Sequence, residues 1–267
     1  MSKKTIRRAV HHLYSFLCEF GLDIIKTFTF LRGILAYLKD YALIITQRGR
    51  NRDFPLSTPF VILDDKFDKA GTMSGHYFHQ DLLVAQRIFA NNPQKHLDIG
   101  SRTDGFVAHV ASFRHIEIID IRPVVSQVNN ISFRQADLMQ LPQDLMEYCD
   151  SISALHAIEH FGLGRYNDPI DYTGHLKALE NIYRILKPGG KFYFSTPMGP
   201  QRIEFNAHRV FSLNYLIDLF DKRYKIDRFS YVNDAGELFE NVEFNKLKVN
   251  RNYDCDYGCA IFEMTKI

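Results

Sequence analysis

The chain of 267 residues is 46% apolar and 24% charged, enough for a full core and consistent with one large domain or one domain plus an appendage. Four cysteines (Cys18, Cys149, Cys255, Cys259) in this length exclude a disulfide framework, and Cys255 and Cys259 lack a second ligand pair at zinc spacing. Buried thiols in a reducing compartment, and no metal site, are expected. The net charge of +2 is uneven: residues 1–52 hold ten Lys/Arg against three Asp/Glu, leaving 23 against 28 in the remainder.

Residues 9–47 read as helix, because Leu13, Leu17, Phe20, Ile24, Phe28, Leu31, Leu35, Leu38, Ala42 and Ile45 recur at three- and four-residue steps. Gly21 and Gly33 are expected to break it into pieces. Lys26, Arg32, Lys39 and Asp40 interrupt any apolar run of the roughly 20 residues that a membrane span needs. Two readings of this basic, amphipathic extension stand: peripheral contact with an anionic membrane surface, or packing on the following domain or on a second copy. No signal peptide is expected, since His11, His12, Glu19 and Asp23 break up the region after the basic start. The basic break Arg48–Arg52, followed by Pro55 and Pro59, places a domain boundary between residues 1–52 and 53–267. Residues 60–74 read as loop and short strand.

A helix over Asp81–Phe89 ends before Pro93 and leads into the central stretch, Lys95–Pro123. There an apolar strand, His96–Ile99, carries Asp98 near its end. The loop Gly100–Gly105 follows, a helix opens at Phe106, and a second strand, Ile116–Ile119, runs into Asp120. Further strands are read at Ile131–Arg134, leading to Asp137 and the turn Leu141–Pro142, and at Asp150–His156, Lys191–Ser195, Lys225–Tyr231 and Cys259–Thr265. Helices fall at His175–Leu186, closed by Lys187-Pro188-Gly189-Gly190, and at Ser212–Phe220. Alternating strands and helices predict an α/β fold: a Rossmann-like, seven-stranded, mostly parallel sheet with helices on both faces, plus the N-terminal helical extension.

In such sheets ligands bind at the carboxyl ends of strands, so Lys95–Pro123 predicts a nucleotide-type pocket. The dinucleotide fingerprint G-x-G-x-x-G is matched at Gly100 and Gly105, with Asp120 at the distance of a ribose acid. Arg102 replaces the middle glycine, which lets a pyrophosphate approach the backbone. That argues against NAD or FAD and fits a ribose ligand without a pyrophosphate.

Asp98, this loop, Asp120, Asp137, DSISALHAIEHF and LKPGGKFYFSTP fall in the order of class I S-adenosylmethionine-dependent methyltransferases, which the chain resembles over residues 75–267. The resemblance implies that Asp98, Gly100, Ser101, Arg102 and Gly105 lie under the methionine part of S-adenosylmethionine. It further implies that Asp120 binds the ribose hydroxyls and that Asp137 sits beside the adenine amine. The usual E/D-x-G-x-G-x-G is not matched, because Arg102 and Asp104 stand at its second and third glycines. GHYFHQD, HLDIGSR, ALHAIEHFGLGRYNDPID and FNAHRVFS are also similar to a narrower, little-characterised methyltransferase-like family of unknown function found among surface-polysaccharide genes. That implies an enzyme and suggests a glycan or glycolipid acceptor, a small-molecule acceptor being the alternative; the expected placement, from the free thiols, is cytoplasmic, with peripheral contact at the inner face of the membrane left to the helical extension.

Tyr77, His79 and Gln80 are expected to close over the cofactor, with His156 facing it. A hydroxyl acceptor gains from a base, and histidine is the usual side chain near neutral pH. His160 leads as that base and His208 is its rival. Glu159, Arg165, Tyr166, Asn206 and Arg209 are expected on the acceptor side, Arg209 for an anionic group. Arg102 is read either as a partner of the cofactor carboxylate or of Asp104 or Asp120. The body is acidic, and its aromatics are not interleaved with basic patches, so no nucleic-acid partner is expected. A second reading keeps the altered glycine loop in view: a methyltransferase-like fold that binds cofactor or partner without transferring methyl.

Overall fold

The structure is a computed structural model that describes residues 3–50, 53–140 and 143–267. The expected break at Asn51 and Arg52 and the turn Leu141–Pro142 lie outside the described residues. The chain divides into two compact units, Met1–Thr72 and Met73–Ile267.

The first unit holds helices α1 (Lys3–Glu19) and α2 (Ile24–Arg48). Gly21 ends α1 in the left-handed region (φ 77°), as expected. Asp23 then caps α2, accepting from the Lys26 amide at 2.9 Å and from the Tyr14 hydroxyl at 2.8 Å. Gly33, in contrast, does not break α2. It sits inside the helix because the chain returns beside it, and a Cβ there would lie 2.4 Å from the Leu63 carbonyl oxygen. Lys66 pairs with Asp40, and Arg32 stacks on Phe67 at 4.1 Å, so residues 53–72 group with the helices, not with the sheet. The short strand expected within residues 60–74 is not there, Asp65–Phe67 forming a single 3-10 turn. Among the described residues, no helix is long and apolar enough to cross a membrane.

The second unit opens with α3 (His76–Asn91), which starts five residues before the expected helix. It ends where Asn92 turns left-handed ahead of Pro93. Strands β1 (His96–Ile99), β2 (Ile116–Asp120), β3 (Ile131–Gln135) and β4 (Cys149–Leu155) fall within a residue of their expected places. Between β1 and β2 the chain makes a wide π-type turn at Thr103–Val107 and only then the short α4 (Ala108–Ala111). Then come α5 (Gly174–Ile185), β5 (Leu186–Met198), a small hairpin of β6 (Arg202–Glu204) and β7 (His208–Val210), α6 (Leu213–Phe220) and β8 (Tyr224–Val232). The two-residue β9 (Leu238–Phe239), α7 (Lys246–Asn250) and β10 (Gly258–Lys266) complete the unit.

The sheet runs β3-β2-β1-β4-β5-β10-β8-β9. It therefore has eight strands instead of seven, β9 being a short addition on the β8 edge. Strands β3, β2, β1, β4 and β5 are parallel, and β10 runs antiparallel between β5 and β8. Successive residues serve opposite faces, as a strand requires. Ile118 and Tyr193 pack with Leu83, Ile88 and Val110 of α3 and α4, while Ile119, Phe192 and Phe194 pack with Ile182 of α5 and Phe220 of α6. The chain leaves β1 toward β2 and β3 on one side and returns to β4 on the other. Brought side by side, the carboxyl ends of β1 and β4 open a crevice at the point where the strand order reverses.

Candidate active site

At that crevice lies an open cleft. Gly100, Asp120, Asp137, His156, His160 and Tyr166 all line it. Gly100 takes φ 64°, and a Cβ on it would lie 3.4 Å from the Ala157 Cβ and 4.0 Å from the Asp120 carboxylate. A side chain there would thus project toward the acid at the end of β2, so the bare backbone keeps the cleft open. Asp137 is held on the rim by the Met139 amide at 2.9 Å.

Asp120 is already engaged. Its carboxylate accepts from the Arg122 amide (2.8 Å), Nε (3.0 Å) and Nη2 (2.7 Å). The Arg122 guanidinium also lies 4.3 Å from the Tyr166 ring centroid. Sequence reading missed Arg122, whose only signal is a basic residue two positions after the acid.

The loop after β1 is organised from below. Asp98 is fully buried and accepts from the Ser101 amide (3.0 Å), the Ser101 hydroxyl (2.7 Å) and the Ser153 hydroxyl. Burial pushes its carboxyl up to about 6, against the pull of these donors. Asp98 and Ser101 therefore fix the loop and do not line the cleft. Arg102 is exposed and pairs with Asp104 at 3.0 Å, with Tyr77 packed at 4.8 Å. Gly105 also faces away from the cleft. A Cβ on it would meet the Asp81 carboxylate at 2.4 Å, so any side chain there would have to displace that carboxylate. Gln80 is buried, accepting from the Ser195 hydroxyl (2.6 Å) and donating to Asp81 (3.1 Å). Tyr77 lies 5.1 Å from the His156 ring, whereas His79 packs beside Phe78.

After β4 the chain turns sharply through His156, a left-handed residue (φ 49°). This backbone costs about 1–3 kcal/mol and aims the ring inward. His156 Nδ1 lies 2.7 Å from Glu159 Oε1, so the proton on Nδ1 is donated to the carboxylate, and His156 Nε2 is buried without a partner. The ring stacks on His76 at 5.2 Å. Burial opposes a charge on His156, but Cys259 and Glu159 outweigh it and hold the ring well above the ordinary histidine range. Burial and the neighbouring His156 push His76 down to about 4. Among the described residues, His76, His156 and Cys259 form a group whose potential ligand atoms all lie within 4.8 Å of one another. Sequence spacing could not reveal it, because its members come from α3, the end of β4 and β10.

Glu159 is buried, 2.7 Å from His156 Nδ1 and 3.9 Å from His160 Nε2, and does not reach the cleft lining. His160 Nδ1 lies 2.6 Å from the Ala207 carbonyl oxygen. A carbonyl only accepts, so Nδ1 carries the proton and Nε2 keeps its lone pair. Burial lowers the pKa of His160 despite Glu159, leaving a neutral ring on the cleft wall. His208 sits at the start of β7 outside the cleft lining, 3.3 Å from Glu204 and packed on Tyr257 at 5.2 Å.

The loop 162–171 is stapled, whatever its glycines suggest. Asp168 accepts from the amides of Gly162 (2.7 Å), Gly164 (3.2 Å) and Tyr166 (3.1 Å). Arg165 reaches back to the Ala207 carbonyl at 3.1 Å. Arg209 is buried, and its guanidinium binds the carbonyls of Glu159 (3.4 Å), Phe161 (2.6 Å) and Tyr172 (3.0 Å). Its donors face backbone, so it clamps this loop where an anion-binding role was expected. Asn206 is exposed in the β6–β7 turn at φ 61°. The structure thus brings Gly100, Asp120, Asp137, His156, His160 and Tyr166 together and sets the other candidates behind or beside them.

A family model described as "Caenorhabditis protein of unknown function, DUF268" matches residues 108–254. No curated protein matches the chain. Among solved structures, the [4+2]-cyclase SpnF is similar at 17% identity and a TM-score of 0.49, over 70% of this chain and 80% of that one. The N-methyltransferase NodS from Bradyrhizobium japonicum WM9, in complex with S-adenosyl-L-homocysteine, is similar at 14% identity and 0.48, over 72% and 88%. The 1,6-didemethyltoxoflavin-N1-methyltransferase of Burkholderia thailandensis is similar at 14% identity and 0.49, over 70% and 78%.

Proposed function

We propose that this chain, which belongs to the DUF268 family, is an S-adenosylmethionine-dependent methyltransferase acting on a hydroxyl of a saccharide or related polar acceptor. The observation that carries this reading is the common cleft. An acid at the end of β2, an acid after β3, an open glycine at the end of β1 and a neutral histidine after β4 all line one volume. Asp120 and Asp137 suit ribose hydroxyls and an adenine amine, and Gly100 leaves room where a Cβ would intrude. When bound, the cofactor supplies an electrophilic methyl group for in-line displacement. The protein's part is to align the acceptor, which alone can contribute several kcal/mol, and to receive its proton. His160, neutral, with its Nδ1 engaged by the Ala207 carbonyl and its ring among the cleft lining, is the base. The saccharide class rests on the likeness of GHYFHQD, ALHAIEHFGLGRYNDPID and FNAHRVFS to the group found among surface-polysaccharide genes.

Titration calorimetry tests the cofactor. S-adenosylhomocysteine should bind with one site per chain, whereas NAD should give no heat. The opposite pattern would remove the assignment. Labelled methyl from S-adenosylmethionine should then appear in a glycan extract. Cofactor binding without transfer into any acceptor fraction would favour a binding or docking protein over an enzyme.

For α1 and α2 the reading is peripheral contact with an anionic membrane surface. Phe16 on α1 and Phe28 and Leu35 on α2 are 59%, 71% and 73% exposed, within the basic first 52 residues. The full chain should float with vesicles containing anionic lipid and not with neutral ones. Failure to float, together with concentration-dependent sedimentation, would instead assign this face to self-association.

A further inference from the structure

We propose that His76, His156 and Cys259 form a binding site for a soft divalent cation of the zinc type at the edge of the cleft. The first ground is geometric: two ring nitrogens and one sulfur lie mutually within 4.8 Å. Zinc bonds of about 2.0–2.1 Å to nitrogen and 2.3 Å to sulfur would set tetrahedral ligands roughly 3.5 Å apart, so the widest pair closes by about 1 Å.

The second ground is the state of His156. It is 8% exposed, and its Nε2 is buried with no hydrogen-bond partner. An unsatisfied buried nitrogen is costly and calls for an occupant. Its other nitrogen, Nδ1, is held by Glu159 at 2.7 Å, so Nε2 is the ring atom turned to the cluster. A carboxylate behind a histidine is the arrangement that orients imidazole ligands in zinc sites. The His76 ring is held between the His156 ring at 5.2 Å and the Tyr257 ring at 5.4 Å.

The third ground is the donor set. The Cys259 sulfur and the Glu159 carboxyl are each at most 1% exposed, out of reach of bulk solvent. Two imidazole nitrogens plus a cysteine sulfur are the borderline-soft donor set that zinc prefers. Three protein ligands leave a fourth position for water or a substrate oxygen, as catalytic zinc sites do. The competing arrangement is a metal-free thiol–imidazole contact between Cys259 and His156.

The test uses the full chain and needs neither cofactor nor acceptor, so it stands or falls apart from the methyltransferase reading. After loading with zinc and exhaustive dialysis, elemental analysis should find one equivalent per chain. Cobalt loading should give a thiolate-to-metal charge-transfer band in the near ultraviolet. Cys259→Ser should abolish the band, and His76→Ala should lower the bound metal well below one equivalent. His208→Ala, outside the cluster, should leave both readouts unchanged. A chelator challenge of the unsubstituted protein supplies a readout that no folding defect can mimic, and it should remove the metal and the band together. Wild-type protein without stoichiometric metal, a cobalt spectrum lacking the thiolate band, or metal loss in His208→Ala but not in His76→Ala would each overturn the site.

Discussion

Asp120→Ala should weaken S-adenosylhomocysteine binding by roughly a hundredfold or more. The carboxylate sits at the end of β2 with both oxygens able to accept, as its three bonds to Arg122 demonstrate. Two ribose hydroxyls donating to an ionised carboxylate make charge-assisted bonds of about 1.5–3 kcal/mol each, and every 1.4 kcal/mol or so is tenfold in affinity. Alanine removes both acceptors and leaves the strand intact, since Asp120 closes β2 and its side chain supports no core contact. Calorimetry on the variant, with a thermal melt as control, reads the result. An affinity within about threefold of wild type in a folded variant would show that the β2 acid does not hold the ribose.

His160→Ala should lower kcat by roughly 10²–10⁴-fold, the usual contribution of a positioned base, while cofactor affinity changes little. The separation matters. Loss of both would indicate that the ring shapes the cleft and does not take the proton. The pH profile adds a second readout. Burial depresses the pKa of His160, so the ring remains unprotonated through neutral pH, and the acid limb of kcat should fall only below the ordinary histidine range. His160→Ala should erase that limb. A larger loss in His208→Ala than in His160→Ala would transfer the role to His208, even though Glu204 faces it and it lies outside the cleft lining.

The framework of this cleft was readable from sequence because it depends on local order. Apolar runs carrying Asp98 and Asp120, with glycines between, announce a strand–loop–helix–strand unit, and β1 to β4 appear within a residue of where the periodicity puts them, while β5 starts five residues earlier than expected and takes in Lys187–Gly190. What stayed hidden depends on approach between distant segments. Nothing near Gly33 tells that Leu63 will return against it, and nothing near Gly105 tells that the Asp81 carboxylate will come to rest beside it. Arg209 looked like an anion receptor because a guanidinium is one; only the fold reveals three backbone carbonyls already facing it. The glycines of loop 162–171 suggest freedom, yet the Asp168 carboxylate gathers three amides of its own loop. The grouping of residues 76, 156 and 259 is the extreme case, since it exists only after α3 and β10 have packed around the end of β4.

The Arg122–Asp120 pair carries a consequence for any sugar that enters. The cleft in its resting form is not an empty receptor, for the acid that would greet a ribose is in the grip of a neighbouring cation resting on Tyr166. A nucleoside must therefore win a contest before it gains a contact. Its apparent dissociation constant equals the intrinsic one divided by the fraction of molecules in which the guanidinium has let go. Affinity measured on this protein will understate how well the pocket fits its guest, and residue 122 sets the size of that discount.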